Sequence, residues 1–361
     1  MKKILIIIPN FESGGAERVH VNLANKWTEN CNVAFVVMQK KGPLIKILNK
    51  KIKIFNTKNK RINELIFPLV KIFKNFKPDI VVSAMWPLTS ISLISKIFAF
   101  SKFDIYFVEH CKLSGGYLID IKSNNFINKL IIRTTYRFAK KIICVSECVK
   151  KDLISITNLS PSKFSVIFNP VYFNKKIQYN ENNYSNFFKG SRYKVIGVGT
   201  LKKQKDFKTL IMSFALVIKK IDASLVIIGD GPEKNNLINL IKELNIGDKV
   251  TLYGFDNNTY PWFKTADLYV HSAIYDGLPL TILESLLTGT PVVSTKSECG
   301  PEEILEYGKF GELVEVSNVN MLAKAIVNKL VQDNDKNLLI KRASEFSLTK
   351  ISNKYLELFN I

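Results

Sequence analysis

The stretch Tyr275–Val293, YDGLPLTILESLLTGTPVV, joins a polar loop to an amphipathic helix and then to a β-branched strand. It holds two acids with seven residues between them, Asp276 before the helix and Glu284 inside it. A loop, a helix and an apolar strand in this order form the repeating unit of an α/β protein, and such proteins bind ligands at the loops that precede the helices. The stretch therefore predicts a fold class and the place of a site within it.

The same unit recurs along the whole chain as short apolar runs separated by helical patterns. Most runs are continuously apolar rather than alternating, which is typical of parallel strands buried on both faces. They are ILIIIP, CNVAFVVMQ, KIKIFN, PDIVVSAM, FDIYFVEH, KKIICVS and FSVIFNP in the first half, and KVIGVGT, LVIIGDG, KVTLYGF, DLYVHS, TPVVST and GELVEV in the second. Since 361 residues suffice for two domains, we predict two Rossmann-like, doubly wound α/β domains.

A polar, Asn-rich segment, residues 174–189, separates the two halves. Its apolar residues follow neither helical nor strand spacing. We therefore predict an N-terminal domain over residues 1–173, this segment as a linker, and a C-terminal domain over residues 190–344. The last residues, 345–361, are predicted to contain one more amphipathic helix.

The positive charge lies almost entirely in the first half of the chain. The first 173 residues hold 28 Lys and Arg against 10 Asp and Glu, and so carry +18 of the formal net charge of +21. A basic half suggests a polyanionic partner, namely nucleic acid, an anionic membrane leaflet or phosphorylated substrates. A lysine-rich, solvated surface is the alternative.

Two apolar stretches bear on localisation. The start, MKKILIIIPN, has a short apolar run without a cleavage site, and we predict a core strand rather than a signal peptide. Residues 83–100 contain Pro87, Lys96 and several serines, which make a transmembrane helix a poor interpretation. We predict a soluble, cytoplasmic protein.

The loop after the first strand, PNFESGGAERVHVNLANKW, contains Gly14 and Gly15 directly before a helix. Glycines there let the backbone approach a ligand, and free amides at a helix start can hold a phosphate. Val19, Leu23 and Trp27 fall on one face of this helix. The pattern is not the dinucleotide G-x-G-x-x-G, so it does not support an NAD site, and tight turns use glycines in any case.

Two further loops hold candidate ligand groups. Lys202, Lys203 and Lys205 crowd the loop of GVGTLKKQKDFKTL, where they could neutralise a diphosphate, although loop lysines are more often merely solvated. His110 stands at the carboxyl end of the strand in YFVEHCKL, where ligand groups are placed in α/β proteins. The other histidines, His20 and His271, are predicted to be packing or surface residues.

The loop of the opening stretch can stabilise an anion. The amides of Gly277, Leu278 and Leu280 lie near the predicted helix start, and Pro279 suits the first helical turn because it needs no donor there. An anionic leaving group at this helix end would be stabilised by the dipole and by the free amides.

The two acids of the opening stretch allow more than one interpretation. Glu284, about a turn into the helix, can accept hydrogen bonds from the hydroxyls of a ligand. Taken alone, Asp276 is equally explained as a helix cap and Glu284 as a surface charge.

Together these stretches resemble the retaining glycosyltransferases of family four, which have the GT-B fold. The resemblance covers nearly the whole chain, in the same order and spacing, through GGAERV, FNP, GTLKKQKDFKTL, LVIIGDGPEKNNL, KVTLYGF, the two-acid motif and ECGPEEIL. It implies two Rossmann-like domains facing a cleft, with the final helix packing back on the N-terminal domain. It further implies a nucleotide-sugar donor held mainly by the second domain and an acceptor held by the first.

The resemblance also implies roles for the acids and the lysine. Glu284 matches the second acid of the family's E-x7-E motif and would hold the ribose hydroxyls. Asp276 occupies the first Glu position, one methylene shorter, near the donor sugar. Lys205 matches the family's phosphate-binding lysine. Thr200 stands where the family has an arginine, so one positive charge is missing, and Lys202 or Lys203 is a guess at its replacement.

In the first domain, Gly15 would lie against the diphosphate, and His110 matches a histidine expected to touch the donor sugar. The residues that we assign to catalysis on this basis are His110, Asp276 and Glu284. Those that we assign to donor binding are Gly14, Gly15, Thr200, Lys205, Gly254, Phe255, Gly277, Leu278, Pro279, Leu280 and Glu284.

The mechanism that the resemblance implies is a front-face displacement with retention of configuration. The leaving nucleotide diphosphate helps to deprotonate the acceptor, and the lysine and the amides stabilise its charge. No DxD-type metal motif stands in a suitable place, so we predict a metal-independent enzyme without a cofactor. The resemblance implies a UDP-linked N-acetylhexosamine or hexose as the donor, with GDP-mannose as an alternative.

Residues 122–141, KSNNFINKLIIRTTYRFAKK, predict a basic amphipathic helix in the first domain. Phe126, Leu130 and Thr134 share one face. The basic residues beside them are Lys129, Arg133, Arg137, Lys140 and Lys141. Such a helix suits an anionic membrane surface and a polyprenyl-diphosphate acceptor, and a buried Rossmann helix with basic flanks is the alternative. The hypothesis is a peripheral enzyme at the inner face of the cytoplasmic membrane, in surface polysaccharide or lipopolysaccharide synthesis.

Three other functions were weighed. A nucleotide-sugar 2-epimerase has the same architecture but lacks support from the GGAERV and two-acid loops. A nucleic-acid-binding protein would use the positive charge, but no recognised binding motif is present. An inactive, donor-binding subunit of a larger transferase is conceivable because of Thr200 and Asp276.

Overall fold

The computed structural model describes residues 1–12, 14–114, 125–172 and 180–361. The chain packs as two compact units: Met1–Pro170 together with Leu348–Ile361 form unit 1, and Val171–Ser347 form unit 2. Each unit contains one parallel sheet with helices packed on it, which confirms the predicted pair of doubly wound α/β domains.

The sheet of unit 1 has the strand order β3-β2-β1-β4-β5-β6-β7, and all of its neighbouring strands are parallel. Its strands are β1 (Lys3–Ile8), β2 (Asn32–Val37), β3 (Lys53–Asn56), β4 (Ile80–Ala84), β5 (Asp104–Glu109), β6 (Lys141–Cys144) and β7 (Phe164–Val166). The described helices of this unit are α1 (Gly15–Trp27), α2 (Ile66–Phe76), α3 (Leu88–Ala99), α4 (Asn125–Tyr136), α5 (Glu147–Thr157) and, from the chain's end, α14 (Leu348–Phe359).

The sheet of unit 2 has the order β10-β9-β8-β11-β12-β13 and is likewise parallel. Its strands are β8 (Tyr193–Val198), β9 (Ala223–Ile228), β10 (Val250–Gly254), β11 (Leu268–His271), β12 (Val292–Thr295) and β13 (Glu312–Val314). The described helices are α6 (Glu181–Ser185), α7 (Phe207–Val217), α8 (Lys234–Glu243), α9 (Tyr260–Thr265), α10 (Leu280–Thr288), α11 (Pro301–Ile304), α12 (Val319–Val331) and α13 (Lys336–Ser344).

Continuous apolar runs form the central strands because helices cover both faces of each sheet. In β1 every residue from Ile4 to Ile8 is buried, and in β9 every residue from Ala223 to Ile228 is buried. Strands that are buried on both faces cannot show the alternation of a half-exposed strand. Each of the thirteen apolar runs quoted above overlaps one of these strands.

The strand orders fix where ligand groups can gather in each unit. The order reverses between β1 and β4 in unit 1 and between β8 and β11 in unit 2. Connections leave such a pair of strands in opposite directions, so a crevice opens at their carboxyl ends. The loops after these strands are therefore where a site is expected.

The C-terminal helix α14 packs within unit 1 against α1, as predicted. The Trp27 ring lies 5.7 Å from the Tyr355 ring and 5.6 Å from the Phe359 ring, between centroids. The Tyr106 hydroxyl of β5 donates a hydrogen bond of 3.2 Å to the Leu358 carbonyl. Val19, Leu23 and Trp27 are all buried, so the predicted apolar face of α1 is the packed face.

The segment predicted as a linker is partly folded onto unit 2. Its residues 174–179 lie outside the described residues, but α6 follows them. The Tyr184 ring packs edge-on against Trp262 at 4.9 Å, and Phe188 is fully buried. The polar composition concealed these two aromatic anchors. Among the described helices, none has the length and apolarity that crossing a bilayer requires.

Candidate functional site

Two loops meet at the point where the strand order of unit 2 reverses, and hydrogen bonds fasten them together. The Gln204 side-chain amide donates to the Tyr275 carbonyl at 2.8 Å, and the Ile274 amide donates to the Gln204 carbonyl at 2.8 Å. The Ser272 hydroxyl donates to the Lys205 carbonyl at 2.8 Å. Because these three hydrogen bonds hold the two loops together, the backbone positions from which their side chains extend are fixed.

Lys205 and Asp276 form an ion pair across the two loops. Their side chains are only 23% and 18% exposed, so this pair is shielded but still reachable from solvent. Burial alone would raise the pKa of Asp276, but the ammonium of Lys205 and the imidazole of His271 outweigh it and hold that pKa well below its usual range. Asp276 is therefore a fixed anion beside a fixed cation.

His271, the last residue of β11, belongs to this cluster although the sequence analysis treated it as a packing or surface residue. Its Nε2 lies 3.4 Å from Oδ2 of Asp276, and its Nδ1 lies 3.1 Å from the Ser294 hydroxyl. Burial lowers its pKa, and the carboxylate of Asp276 opposes that shift. The sequence did carry a signal, since His271 ends a strand only five residues before Asp276.

Glycines allow the neighbouring loops to close tightly around this cluster. Gly300 has a φ of 72°, and a Cβ there would lie 2.7 Å from the Gly277 carbonyl oxygen. At Gly229, where φ is 153°, a Cβ would lie 1.9 Å from the Gly199 carbonyl oxygen. Any side chain at either position would push these loops apart.

Helix α10 begins beside Asp276, one residue later than predicted. Pro279 is the N-cap rather than a residue of the first turn, because its backbone is extended and its carbonyl accepts the first hydrogen bond, from Ile282, at 3.2 Å. The Gly277 amide donates to Oδ1 of Asp276 at 3.0 Å, and Leu278 is buried. The helix start and its dipole therefore lie next to the ion pair.

Glu284 lies on α10 and is only 4% exposed, so it is not a surface charge. The Thr259 hydroxyl donates to its Oε2 at 3.2 Å. A carboxylate buried at this depth must keep hydrogen-bond donors around it. Glu284 is therefore a buried hydrogen-bond acceptor within unit 2.

The remaining residues assigned to the donor lie on the other loops of this edge. Gly254 ends β10 with a φ of 99°, and the Phe255 side chain after it is half exposed. Thr200 is exposed in the loop after β8. Lys202 and Lys203 line a groove of about 520 Å³ between the start of α7 and α8, together with Leu237 and other residues of α8.

In unit 1, the two predicted site segments come together through a histidine that the sequence analysis set aside. Gly14 and Gly15 are exposed at the start of α1, and His110 directly follows β5. The His20 ring of α1 packs edge-on against the His110 ring, with 5.2 Å between centroids. The structure thus joins the glycine helix start to His110.

The carboxyl end of β5 also carries a buried acid, Glu109. The Tyr136 hydroxyl donates to Oε1 of this carboxyl, and the Trp86 amide donates to Oε2 at 3.3 Å. Burial raises the pKa of Glu109 to about 7, although these hydrogen bonds and one from Thr89 oppose the shift. Glu109 therefore ties β5 to α3 and α4.

Helix α4 has apolar residues on two faces. Its packed face buries Ile132, Thr135 and Tyr136, whereas Phe126 is 72% and Leu130 is 49% exposed. Tyr136, the last residue of the helix, contacts the carboxyl end of β5, so the earlier turns extend past that edge of the sheet. The packed face agrees with the alternative of a Rossmann helix with basic flanks, and the exposed apolar residues are what the membrane hypothesis requires, so both alternatives remain open. Residues 122–124 of the predicted helix lie outside the described residues.

Two of the basic residues assigned to this helix lie elsewhere. Lys140 follows the helix and pairs with Asp104 at 3.7 Å, and Lys141 is the first residue of β6, donating to the Ser162 carbonyl at 2.6 Å. The helix ends at Tyr136 because the chain must turn to enter the sheet. This corrects the prediction for Lys140 and Lys141. Lys129 and Arg133 are exposed basic residues within the helix, and Arg137 is exposed directly after its last residue.

Comparison with known proteins gives matches over nearly the whole chain. The family model described as Glycosyltransferase Family 4 matches residues 13–174, and the model described as Glycosyl transferases group 1 matches residues 179–346. An uncharacterized glycosyltransferase of Methanocaldococcus jannaschii is 29% identical over 385 residues, covering 92% of each chain.

Two further proteins resemble this chain over its full length. The N-acetylgalactosamine-N,N'-diacetylbacillosaminyl-diphospho-undecaprenol 4-alpha-N-acetylgalactosaminyltransferase of Campylobacter jejuni is 27% identical over 384 residues, covering 99% of each chain. Among solved structures, Anabaena HepE in complex with UDP superposes with a TM-score of 0.78 at 19% identity, covering 100% of each chain. The latter similarity shows that the two proteins share a fold.

Proposed function

The chain belongs to glycosyltransferase family 4, of the GT-B type, and from this premise we propose that it transfers a hexose or N-acetylhexosamine from a UDP donor to a lipid-linked glycan with retention of configuration. The observation that carries this proposal is the cluster of Lys205, Asp276 and His271 where the strand order of unit 2 reverses. A shielded cation beside a helix start is the environment that a diphosphate requires.

The proposal gives each group of unit 2 a part in holding the donor. Lys205 is still 23% exposed while paired, so a phosphate oxygen can reach its ammonium beside Asp276. The start of α10 adds the positive end of its dipole to the same diphosphate. Glu284 accepts hydrogen bonds from the ribose hydroxyls, and the base lies by Gly254 and the exposed ring of Phe255.

In the proposed reaction the bond between the sugar's anomeric carbon and the diphosphate oxygen breaks, and the electron pair leaves with the nucleotide diphosphate. The acceptor hydroxyl attacks the same face of the sugar, and its proton passes to the departing phosphate oxygen. Lys205 and the helix start stabilise the negative charge that develops there. Since this charge is met by protein groups, we propose that no metal and no cofactor are needed.

Unit 1 is proposed to hold the acceptor and to meet the membrane. The Campylobacter relative is named for an undecaprenyl-diphosphate-linked acceptor. In this chain, α4 exposes Phe126 and Leu130 with Lys129 and Arg133 nearby, and an apolar face flanked by cations is what an anionic leaflet binds. We therefore propose peripheral association with the inner face of the cytoplasmic membrane through this face.

A thermal-shift panel tests the donor assignment. The ligands are UDP, UDP-sugars, GDP, GDP-mannose and single-stranded DNA, and the proteins are wild type, Glu284→Ala and the control Glu243→Ala, an exposed acid of α8. A ligand at a hundred times its Kd adds about 2.7 kcal/mol to the free energy of unfolding. We expect stabilisation by UDP and UDP-sugars that Glu284→Ala loses and Glu243→Ala keeps. A response to DNA alone would contradict the proposal.

A further inference from the structure

His20 is a buried histidine that connects the two parts of the site in unit 1. It lies in the second turn of α1, one helical turn after Ala16, and is 0% exposed. Its Nδ1 makes a hydrogen bond of 2.8 Å with the Ala16 carbonyl. Its ring meets the His110 ring at 5.2 Å and 68°, an edge-to-face contact. His20 therefore links the helix start at Gly15 to His110.

The hydrogen bonding of these two rings is incomplete. Since the Ala16 carbonyl can only accept, Nδ1 of His20 carries the proton, and Nε2 of the neutral ring is left with a lone pair. Among the described residues, none forms a hydrogen bond with Nε2 of His20, nor with either ring nitrogen of His110. A residue that serves packing alone would not bury an unpartnered nitrogen, because an aliphatic or phenyl side chain fills such a space without that cost.

Burial keeps both rings neutral. Burial lowers the pKa of His20 to about 4, although its hydrogen bond to Ala16 opposes the shift. Burial, and after it the nearness of His20, lowers the pKa of His110 well below its usual value. A neutral imidazole offers one N–H and one lone pair and so matches a sugar hydroxyl, whereas an imidazolium has only donors.

We propose that His20 is a positioning residue for His110, which it holds in one ring orientation with both His110 nitrogens unoccupied by protein groups of the described residues, so that a hydroxyl of the bound sugar can pair with one of them. Three observations carry this inference: the fixed Nδ1 of His20, the edge-to-face contact and the unpartnered nitrogens. The inference rests on the proposed function and on the expectation, from the family resemblance, that His110 contacts the donor sugar. It deepens that function by adding a second imidazole that touches no substrate itself.

Two substitutions separate positioning from packing. His20→Phe keeps a ring of similar size but removes both nitrogens, and His20→Gln keeps an amide donor and an acceptor without the ring. We expect kcat of His20→Phe to fall about tenfold with the KM for the sugar donor changed by less than about threefold. His20→Gln keeps the hydrogen-bonding groups but loses the ring contact, so its kcat should lie between those of wild type and His20→Phe. A fully active His20→Phe would overturn the inference, as would equal losses of kcat and Tm in both variants.

Nuclear magnetic resonance of the imidazole nitrogens provides a test that needs neither activity nor a variant of His20. The chain has three histidines, and His110→Gln and His271→Gln assign their signals. We expect His20 as the Nδ1–H tautomer, neutral down to about pH 5, and a changed His110 signal in His20→Phe. An Nε2–H tautomer of His20 would overturn the inference, because the bond to Ala16 would not exist.

These measurements also separate a failure of the inference from a failure of the proposed function. If wild type transfers no sugar but the His20 tautomer and the His110 response are as expected, the proposed function fails and the positioning of His110 stands. If wild type transfers sugar and His20→Phe does so equally well, the positioning role fails alone.

Discussion

Lys205 and Asp276 allow a direct test of how the cluster in unit 2 is held. Lys205→Met leaves the Asp276 carboxylate shielded and without its lysine partner, so we expect the free energy of unfolding to fall by about 2 kcal/mol, between the values for exposed and buried pairs. The double variant Lys205→Met/Asp276→Asn should lose less than the sum of the single variants by about 1 kcal/mol. Urea unfolding measures both, and strictly additive losses would contradict the pairing.

The pH dependence of this pair has a definite sign. Lys205 and His271 depress the pKa of Asp276 below its ordinary value of 3.8 despite its burial. A carboxyl group whose pKa is lower in the folded state than in the unfolded state stabilises the protein above its unfolded-state pKa. This stabilisation is lost as the pH falls through its folded-state pKa. The difference between wild type and Lys205→Met should therefore shrink below about pH 4. A difference that stays constant from pH 7 to pH 3 would mean that the two charges do not interact.

The sequence predicted these residues unevenly, for physical reasons. Lys205, Asp276 and Glu284 could be found because they occupy strand-to-helix loops or the first turns of the following helix. The role of His20 could not be found because it depends on a contact with His110, which is distant in the sequence, whereas the role of His271 was missed although Asp276 lies only five residues away. Helical or strand spacing tells that a histidine points inwards, but not that it meets His110 or Asp276.

At the scale of a single element, α4 gives the sharpest prediction. Phe126→Ser/Leu130→Ser removes exposed apolar area beside the basic residues of this helix. We expect the partition coefficient onto anionic liposomes at low salt to fall roughly a hundredfold, since each of the two side chains contributes roughly 1.5 kcal/mol or more when buried in an apolar phase. The measurement is the fraction of protein that floats with the vesicles.

Phe100→Ser is the matched control for this experiment. Phe100 is 90% exposed at the end of α3, away from the start of α4, and the same change there should leave flotation unaltered. Equal flotation of wild type and the α4 variant, or equal losses in the α4 and Phe100 variants, would show that this face is not the membrane contact.

The same helix shows what an apolar pattern can and cannot predict. The period of residues 122–141 predicted a helix, and α4 is present at Asn125–Tyr136. The pattern could not tell which of two apolar faces is packed, because Ile132 and Leu130 are equally apolar although only Ile132 is buried. Burial depends on which face of the helix is turned towards the sheet, and the contact of Tyr136 with Glu109 of β5 lies on the packed face.

At the scale of the whole molecule, the buried Glu109 predicts how stability changes with pH. Its folded pKa of about 7 lies above the ordinary value of 4.5, so the folded state binds the proton more tightly than the unfolded one. Such a group stabilises the folded state below about pH 4.5, and this contribution is lost as the pH rises through about 7. The total change in the free energy of unfolding is on the order of 3 kcal/mol.

Glu109→Gln should remove this dependence because an amide does not titrate. We expect the variant to gain free energy of unfolding relative to wild type between pH 5 and pH 8, measured by urea unfolding, whereas Glu147→Gln, an exposed acid of α5, should not. A constant difference between wild type and Glu109→Gln across this range would contradict the raised pKa.

The fold could be predicted almost completely, since each of the thirteen apolar runs corresponds to a strand in one of the two parallel sheets of the described residues. Continuous apolar runs are forced by burial on both faces, and that constraint is visible in a single sequence. The segment between the two predicted domains was less predictable. Residues 181–188, predicted as part of a linker, are helical because Tyr184 and Phe188 anchor them on unit 2, and two aromatic residues are too weak a signal in a polar segment.

The most direct test of the whole account is the release of UDP from a UDP-sugar in the presence of a polyprenyl-diphosphate-linked glycan. We expect wild type to release UDP at the same rate in EDTA and to give a product with the anomeric configuration of the donor. Lys205→Ala should lose roughly a hundredfold or more in kcat, as expected when a group that stabilises the leaving charge is removed. Lys208→Ala, an exposed lysine three residues away, should match wild type. UDP release by Lys205→Ala at the wild-type rate, or activity that is lost in EDTA and restored by manganese, would contradict the account.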